Sequence, residues 1–238
     1  MTDDSAARST RRAFIGGLAV AGTAGLAGCG GLFGGQANVE VPDGPVANAP
    51  IPSDASEYVY ETMGTNDAPV TATYVANWKC PHCADFSTGF LGTIVEEYVE
   101  PGALAIEHRA LAYINGNPWM GTDAPRAAEA GLAVWHTDPA SYWQYHEYVM
   151  ASQGDPRETW ATTDRLVGFA EDVGVSDVDA VRTAIEDRTY KQRVQATATA
   201  VSQTGISSTP TLVIDGEAVN ALNESAVRTT LDEKTSNA

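Results

Sequence analysis

Val70-Thr71-Ala72-Thr73-Tyr74-Val75-Ala76 alternates β-branched and apolar residues behind the turn-forming Asp67-Ala68-Pro69, which predicts a strand. Phe86, Phe90, Leu91, Ile94, Val95 and Tyr98 then recur at helical spacing until Pro101-Gly102, so a helix starts just after Cys80 and stops there. Ala103 to Leu111 reads as a second strand, and the three together form a βαβ unit. From Asp123 to about Thr204 the texture turns helical, with one stretch around Ala127, Ala130, Val134 and Trp135 and another around Tyr142, Trp143, Tyr145, His146 and Val149. A third begins at Leu166, Phe169, Ala170 and Val173, and a fourth runs from Val178 to Ala198. Their aromatic residues are expected to form the core of a helical insertion rather than a ligand site. Leu212 to Ile214 is a strand, Asp215-Gly216 a hairpin turn, and Glu224 to Leu231 a closing helix.

The two ends of the chain differ in kind. Arg11-Arg12, with Phe14 two positions later and a small-residue apolar run through Ala27, has the layout of a signal peptide too short to span a bilayer. The paired arginines resemble a twin-arginine export signal. Leu26-Ala27-Gly28-Cys29 resembles a lipobox, after which cleavage leaves an acylated Cys29. Residues 1–28 are therefore expected to be a signal peptide, with an uncleaved anchor as the alternative. Residues 29–56 carry Gly30-Gly31, Gly34-Gly35, Pro42, Pro45, Pro50 and Pro52 without a period, and are expected to be a lipid-anchored flexible tether. The globular domain is expected over 57–235, with its insertion at about 120–204.

Charge sharpens this layout. The 238 residues carry 31 Asp and Glu against 14 Lys and Arg, a net charge of −17, while 43% are hydrophobic. That apolar share supports a core and excludes a disordered acidic tail. Without a basic stripe beyond the first dozen residues, nucleic acid is excluded as a partner. Only Lys79, Lys191 and Lys234 are lysines, a composition suited to solubility in high salt, with an ordinarily acidic surface as the plainer cause. Residues 1–28 hold Arg8, Arg11, Arg12, Asp3 and Asp4, so their removal leaves −18 on the exported part.

Of three cysteines, lipidation would consume Cys29 and leave Cys80 and Cys83 as a pair. Cys80-Pro81-His82-Cys83 stands where a strand feeds a helix, with Pro81 in the first turn, where its missing N–H costs nothing. The helix dipole and free N–H groups stabilise a thiolate on the first cysteine, and the second lies one turn along. Stabilising the thiolate stabilises the reduced form, which makes the disulfide a stronger oxidant. His82, held between the sulfurs, is expected to add to this bias.

Cys80-Pro81-His82-Cys83, the upstream Gly64-x-x-Asp67-Ala68-Pro69-Val70 and the downstream Gly205-Ile206-Ser207-Ser208-Thr209-Pro210-Thr211 together resemble the DsbA-like thiol:disulfide oxidoreductases. The resemblance spans about 57–235, and implies a thioredoxin fold with a helical insertion, no cofactor, Cys80 as nucleophile and Cys83 as resolving thiol. It also implies that Pro210 is a cis proline beside the sulfurs and that the Thr209 backbone pairs with an extended substrate. Its clients would be cysteine-containing exported proteins, and its recycling would need a membrane redox partner. With the anchor, this places the protein on the extracytoplasmic face of the membrane, oxidising its clients; a reductase or isomerase role, for example in cytochrome maturation, is the alternative direction. Relatives often carry an acidic residue in the strand before the motif. Here Tyr74-Val75-Ala76-Asn77 has none, and Glu107 or His108 are the substitutes the sequence offers. Two rival readings of the cysteines are a zinc site, which needs about four ligands, and a non-catalytic binding lipoprotein.

Overall fold

In the computed structural model, which describes residues 39–238, the β-branched run becomes the central strand β2 (Val70–Ala76) of a five-stranded sheet. Val70 and Ala72 are buried and Thr71 is exposed, but from Tyr74 onward every residue of the strand is buried. The C-terminal end of β2 is thus covered on both faces, and the cysteines follow from that end. β3 (Leu104–Ala110) pairs with it in parallel, Val70 opposite Leu104 and Ala76 opposite Ala110. β1 (Thr62–Met63) lies antiparallel against β3. On the other side β6 (Thr211–Ile214) and β7 (Glu217–Asn220) complete the order β1-β3-β2-β6-β7. Asp215 and Gly216 turn this hairpin with φ of 44° and 84°, the left-handed pair that such two-residue loops require. The result is the mixed α/β, thioredoxin-like fold with a helical insertion that the sequence predicts.

The helix after the cysteines is broken. α1 (Pro81–Ser87) ends at Gly89, whose φ of −127° and ψ of −102° leave the helical region, and α2 (Phe90–Ile94) then runs into a π turn over Val95–Val99. A Cβ at position 89 would sit 2.8 Å from the Asp85 carbonyl oxygen, so the break needs glycine. α8 (Glu224–Ser236) extends past the expected end at Leu231 and is capped by the Asn223 side chain, which accepts from the Ala226 N–H.

The insertion comprises α3 (Ala124–Thr137), α4 (Tyr142–Ala151), α5 (Thr163–Asp172), α6 (Val178–Glu186) and α7 (Lys191–Gln203). A short hairpin of β4 (Tyr113–Ile114) and β5 (Asn117–Pro118), which the sequence pattern did not show, leads into it. Its aromatics form a core shared with the sheet rather than one of their own. Trp135 donates its indole N–H to the Tyr58 carbonyl at 3.0 Å, and Trp143 donates to the Thr62 carbonyl at 3.3 Å.

The expectation of a free tether through residue 56 is corrected in its second half. Val46 is 1% exposed, the Ala47 N–H donates to Glu147 Oε2 at 3.0 Å, and Gln144 Nε2 donates to the Pro42 carbonyl at 2.8 Å. Side chains of α4 satisfy two backbone groups of this Pro-rich stretch and local turns satisfy others, which lets it pack without a period of its own. Arg11, Arg12 and Cys29, with the expected signal peptide and the first part of the tether, lie outside the described residues. Among the described residues no helix is long and apolar enough to cross a membrane.

A carboxyl lies inside this core. Glu61 is 2% exposed, its Oε2 is 3.8 Å from His108 Nδ1, and the Tyr142 hydroxyl hydrogen-bonds that nitrogen at 2.9 Å. Burial pushes Glu61 up to about 8 and His108 down to about 3, so both are neutral at neutral pH and the contact is no ion pair. Between the ordinary carboxyl value of 4.5 and about 8, the folded chain holds a proton that the unfolded chain has lost. Stability therefore falls as pH rises through that window, by up to about 1.4 kcal/mol per pH unit. Glu61→Gln keeps the shape and removes the titration. Urea unfolding at about pH 5 and about pH 8 should show the variant losing less stability across the window than the parent; equal losses would place Glu61 ionised in the folded state.

Candidate active site

Cys80 is the N-cap residue of α1, with φ −82° and ψ 117°, and Pro81 occupies the first helical turn. The N–H groups of Cys83 and Ala84 close the turn on the Cys80 carbonyl at 3.0 and 3.1 Å. Both cysteines are buried and carry free thiols. In its protonated form the Cys80 thiol donates to the Thr209 carbonyl at 3.6 Å, beside a cis Thr209–Pro210 bond that leads into β6. The Asn77 N–H reaches Cys83 Sγ at 3.5 Å.

The two sulfurs are unlike. A hydrogen bond from the Cys83 thiol lowers Cys80 to about 6; burial opposes this, while the Thr209 side chain and the backbone N–H groups of Cys83 and His82 act with it. Burial pushes Cys83 well up, and the bond it gives to Cys80 adds to that. One sulfur is an anion at neutral pH and the other a thiol, which is the arrangement that attack by, or departure of, a single thiolate requires.

His82 departs from its expected place. Its ring is 69% exposed and lies 3.7 Å from Asp85, one turn along the helix, so it is the His82 backbone N–H that acts on Cys80. Glu107 and His108 do not reach the cysteines either. Glu107 forms a half-buried pair with Arg109 at 2.6 Å, and His108 faces Glu61 and Tyr142.

Residues that sequence reasoning passed over hold the loop between β2 and α1. Asn77 donates from Nδ2 to the Leu111 and Trp119 carbonyls at 2.8 and 3.2 Å, and its Oδ1 accepts from the Lys79 N–H at 2.8 Å. Lys79 Nζ is 2.6 Å from Asp123 Oδ1, with both side chains 1% exposed, and it also donates to the Glu158 carbonyl at 2.8 Å. Asp123 takes a further bond from the Ala161 N–H at 2.9 Å; against the upward push of burial, these donors hold it below the usual carboxylate range. Gln153 Nε2 donates to the Trp78 and Cys80 carbonyls at 3.0 and 3.3 Å. The insertion thus grips the residues immediately before the first cysteine. Asn77 and Lys79 lay within the motif stretch, whereas Asp123 and Gln153 carried no signal in sequence. Gly131 of α3 admits the Trp78 ring, since a Cβ there would lie 2.6 Å from it.

A groove of about 450 Å³ is lined by Leu111, Tyr113, Gln195, Ala198, Ser202 and Ser207 among others, with no charged side chain in its lining, and it ends two residues before Thr209 in the chain. Such a lining suits a polypeptide segment rather than an ion.

A thioredoxin family model matches residues 59–233. The probable disulfide bond formation protein D of Bacillus cereus is 24% identical over 161 residues, covering 67% of this chain and 72% of that protein. Disulfide bond formation protein D of Bacillus subtilis is 23% identical over 173 residues, covering 72% and 75%. The crystal structure of oxidised BdbD from Bacillus subtilis superposes with a TM-score of 0.69 at 22% identity, covering 80% of this chain and 98% of that one. Chlamydia trachomatis DsbA gives 0.65 at 21%, covering 74% and 91%. The structural likenesses establish the fold.

The unequal thiols make a direct prediction. Alkylation of the reduced protein by iodoacetamide should modify one thiol quickly, with a rate that rises through a midpoint near 6 and is lost in Cys80→Ser. Equal reactivity of the two cysteines would contradict the geometry.

Proposed function

As the chain belongs to the thioredoxin family, whose model spans residues 59–233, we propose that it is a DsbA-like thiol:disulfide oxidoreductase that oxidises cysteine pairs of exported proteins through Cys80 and Cys83. The observation that carries this reading is the opposite displacement of the two thiols, Cys80 down and Cys83 up. A disulfide whose product is a stabilised thiolate accepts electrons readily.

The reaction balances on the protein's own sulfurs. A substrate thiolate attacks Cys80 Sγ of the Cys80–Cys83 disulfide, and the bond's electron pair leaves on Cys83. The substrate's second thiolate then attacks its own sulfur in the mixed disulfide, and Cys80 departs as the thiolate. The substrate loses two electrons and two protons; the protein gains the electrons and one proton on Cys83, and the other proton goes to water. The Thr209 backbone, 3.6 Å from Cys80 Sγ, is the edge on which an extended substrate would lie, and the uncharged groove that reaches Ser207 would take its continuation.

Location belongs to the same proposal. The Arg11-Arg12 run and the Leu26-Ala27-Gly28-Cys29 sequence support export and lipidation at Cys29, with residues 1–28 removed and a short spacer holding the domain at the outer face of the membrane. A membrane redox partner would reoxidise the dithiol. The acidic composition suits an exterior rich in salt, where charge repulsion is screened.

One equivalent of a reduced two-cysteine peptide mixed with the oxidised protein should become disulfide-bonded as the protein's two thiols appear, with no reaction in Cys80→Ser. A peptide left reduced by the oxidised parent would overturn the reading.

A further inference from the structure

Breaking the Cys80–Cys83 disulfide puts an electron pair on Cys83 Sγ, and that charge appears in a buried place. Cys83 is 0% exposed, and Tyr74-Val75-Ala76-Asn77 brings no carboxylate to it. A buried anion without a hydrogen-bond partner is costly. The donor that the structure sets on this sulfur is the Asn77 backbone N–H, at 3.5 Å.

That N–H is available because Asn77 lies just past the sheet. The last residues that β2 and β6 pair are Val75 and Thr211, and the Ala76 carbonyl accepts from the Leu111 N–H at 2.7 Å. Beyond them the Asn77 N–H is directed at the sulfur. The Asn77 carbonyl accepts from the Cys80 N–H at 3.0 Å, so this one residue is bonded to both cysteines. Its side chain, on a residue 1% exposed, commits both amide protons and its oxygen to backbone groups. Nδ2 donates to the Leu111 and Trp119 carbonyls at 2.8 and 3.2 Å, and Oδ1 accepts from the Lys79 N–H at 2.8 Å. These anchors are the residue that follows β3, the residue that follows the β4–β5 hairpin, and the loop itself. Two donors and one acceptor on a short stem are what this set requires, and asparagine supplies them. The neighbouring Tyr74 hydroxyl is engaged elsewhere, by the Cys83 carbonyl at 3.4 Å and Ser87 Oγ at 3.0 Å.

We propose that the Asn77 backbone N–H receives the negative charge that leaves on Cys83, and that the Asn77 side chain is the positioning group that holds this donor in place. The inference rests on the oxidoreductase reading and adds to it the group that serves the second sulfur. A substrate thiolate bonds to Cys80 Sγ, the Cys80–Cys83 bond breaks, and its electron pair passes to Cys83 Sγ. The hydrogen bond from Asn77 strengthens as that charge grows. The proton that completes the Cys83 thiol comes from the substrate's second thiol as it ionises for its own attack; none leaves Asn77. A donor already fixed in the backbone needs no reorganisation when the charge appears.

Asn77→Ala removes the three anchors and leaves the N–H free to swing away. Opening of the Cys80–Cys83 disulfide by excess reduced glutathione, followed by stopped-flow tryptophan fluorescence, should slow roughly tenfold, the scale of one lost hydrogen bond to a charged group. The pH midpoint for alkylation of Cys80 in the reduced variant should stay at the parent's value, whereas a general loosening of the loop would move it. A second measurement leaves position 77 unchanged. In NMR spectra of the reduced protein, Cys83→Ala takes away the sulfur, and the Asn77 amide proton should move upfield while the Lys79 amide proton, held by Asn77 Oδ1, keeps its position. The proposal is overturned if folded Asn77→Ala opens at the parent rate, if the Cys80 midpoint shifts along with opening, or if the Asn77 amide proton is indifferent to Cys83→Ala. If these differences appear yet peptide thiols mixed with the oxidised parent stay reduced, the oxidase reading fails and the Asn77 donor stands.

Discussion

The unequal proton affinity of Cys80 and Cys83, set at a buried helix start, is the constraint on which the rest of the site depends. It exists because Cys80 caps α1 and Cys83 lies one turn further on, so the two sulfurs meet while their backbone groups are already used by the helix. The Cys83 thiol lowers Cys80, while burial first and the neighbouring Cys80 second raise Cys83. Position at the helix start and depth of burial together create the anion that a substrate meets and the reluctant thiol that closes the cycle. Everything else near the site either fixes that geometry or adjusts the charge it creates.

The helical insertion does the fixing. Lys79 and Asp123 form a buried pair, with a carbonyl and an N–H completing their bonds, and Gln153 binds the carbonyls on either side of Lys79. A buried ion pair contributes little net stability, because desolvation offsets its attraction, but removing one partner costs about 3–5 kcal/mol. Its effect here is to leave the loop a single position. The cost is accepted next to the reacting sulfur, where a displacement of the N-cap residue would break the thiol bond described above. The core under the loop is correspondingly aromatic, with Trp78 packed edge-on against His108, Tyr142 and His146.

The fold was readable from periodicity wherever burial follows one face. The β2 and β3 runs, four helical stretches of the insertion and the Asp215-Gly216 hairpin carry their signal in local pattern, whereas the break that divides the stretch from Val178 to Ala198 into α6 and α7, where Arg188 takes a φ of 56°, did not show. The site was readable in part, because a Cys-x-x-Cys pair and a Thr-Pro before a strand are short and local. What escaped depends on contacts between distant segments. Glu61 becomes a neutral core group through α4 and β3, and nothing in Tyr60-Glu61-Thr62 distinguishes it from a surface carboxylate. The Pro-rich stretch at 42–56 reads as a spacer because its packing comes from Val46 and from the side chains of Gln144 and Glu147. His82 misled for the opposite reason: its place between the cysteines suggests contact, yet a helix turns successive side chains about 100° apart and sends this one to solvent.

Stabilising Cys80 as a thiolate stabilises the reduced protein, so under the proposed function the Cys80–Cys83 disulfide acts as an oxidant. The equilibrium of the purified protein with reduced and oxidised glutathione at neutral pH measures this without any assumption about clients or partners. The reduction potential should lie above roughly −180 mV, more oxidising than the glutathione couple of a secretory compartment. A potential near or below about −270 mV, the range of a dedicated thiol reductant, would contradict it.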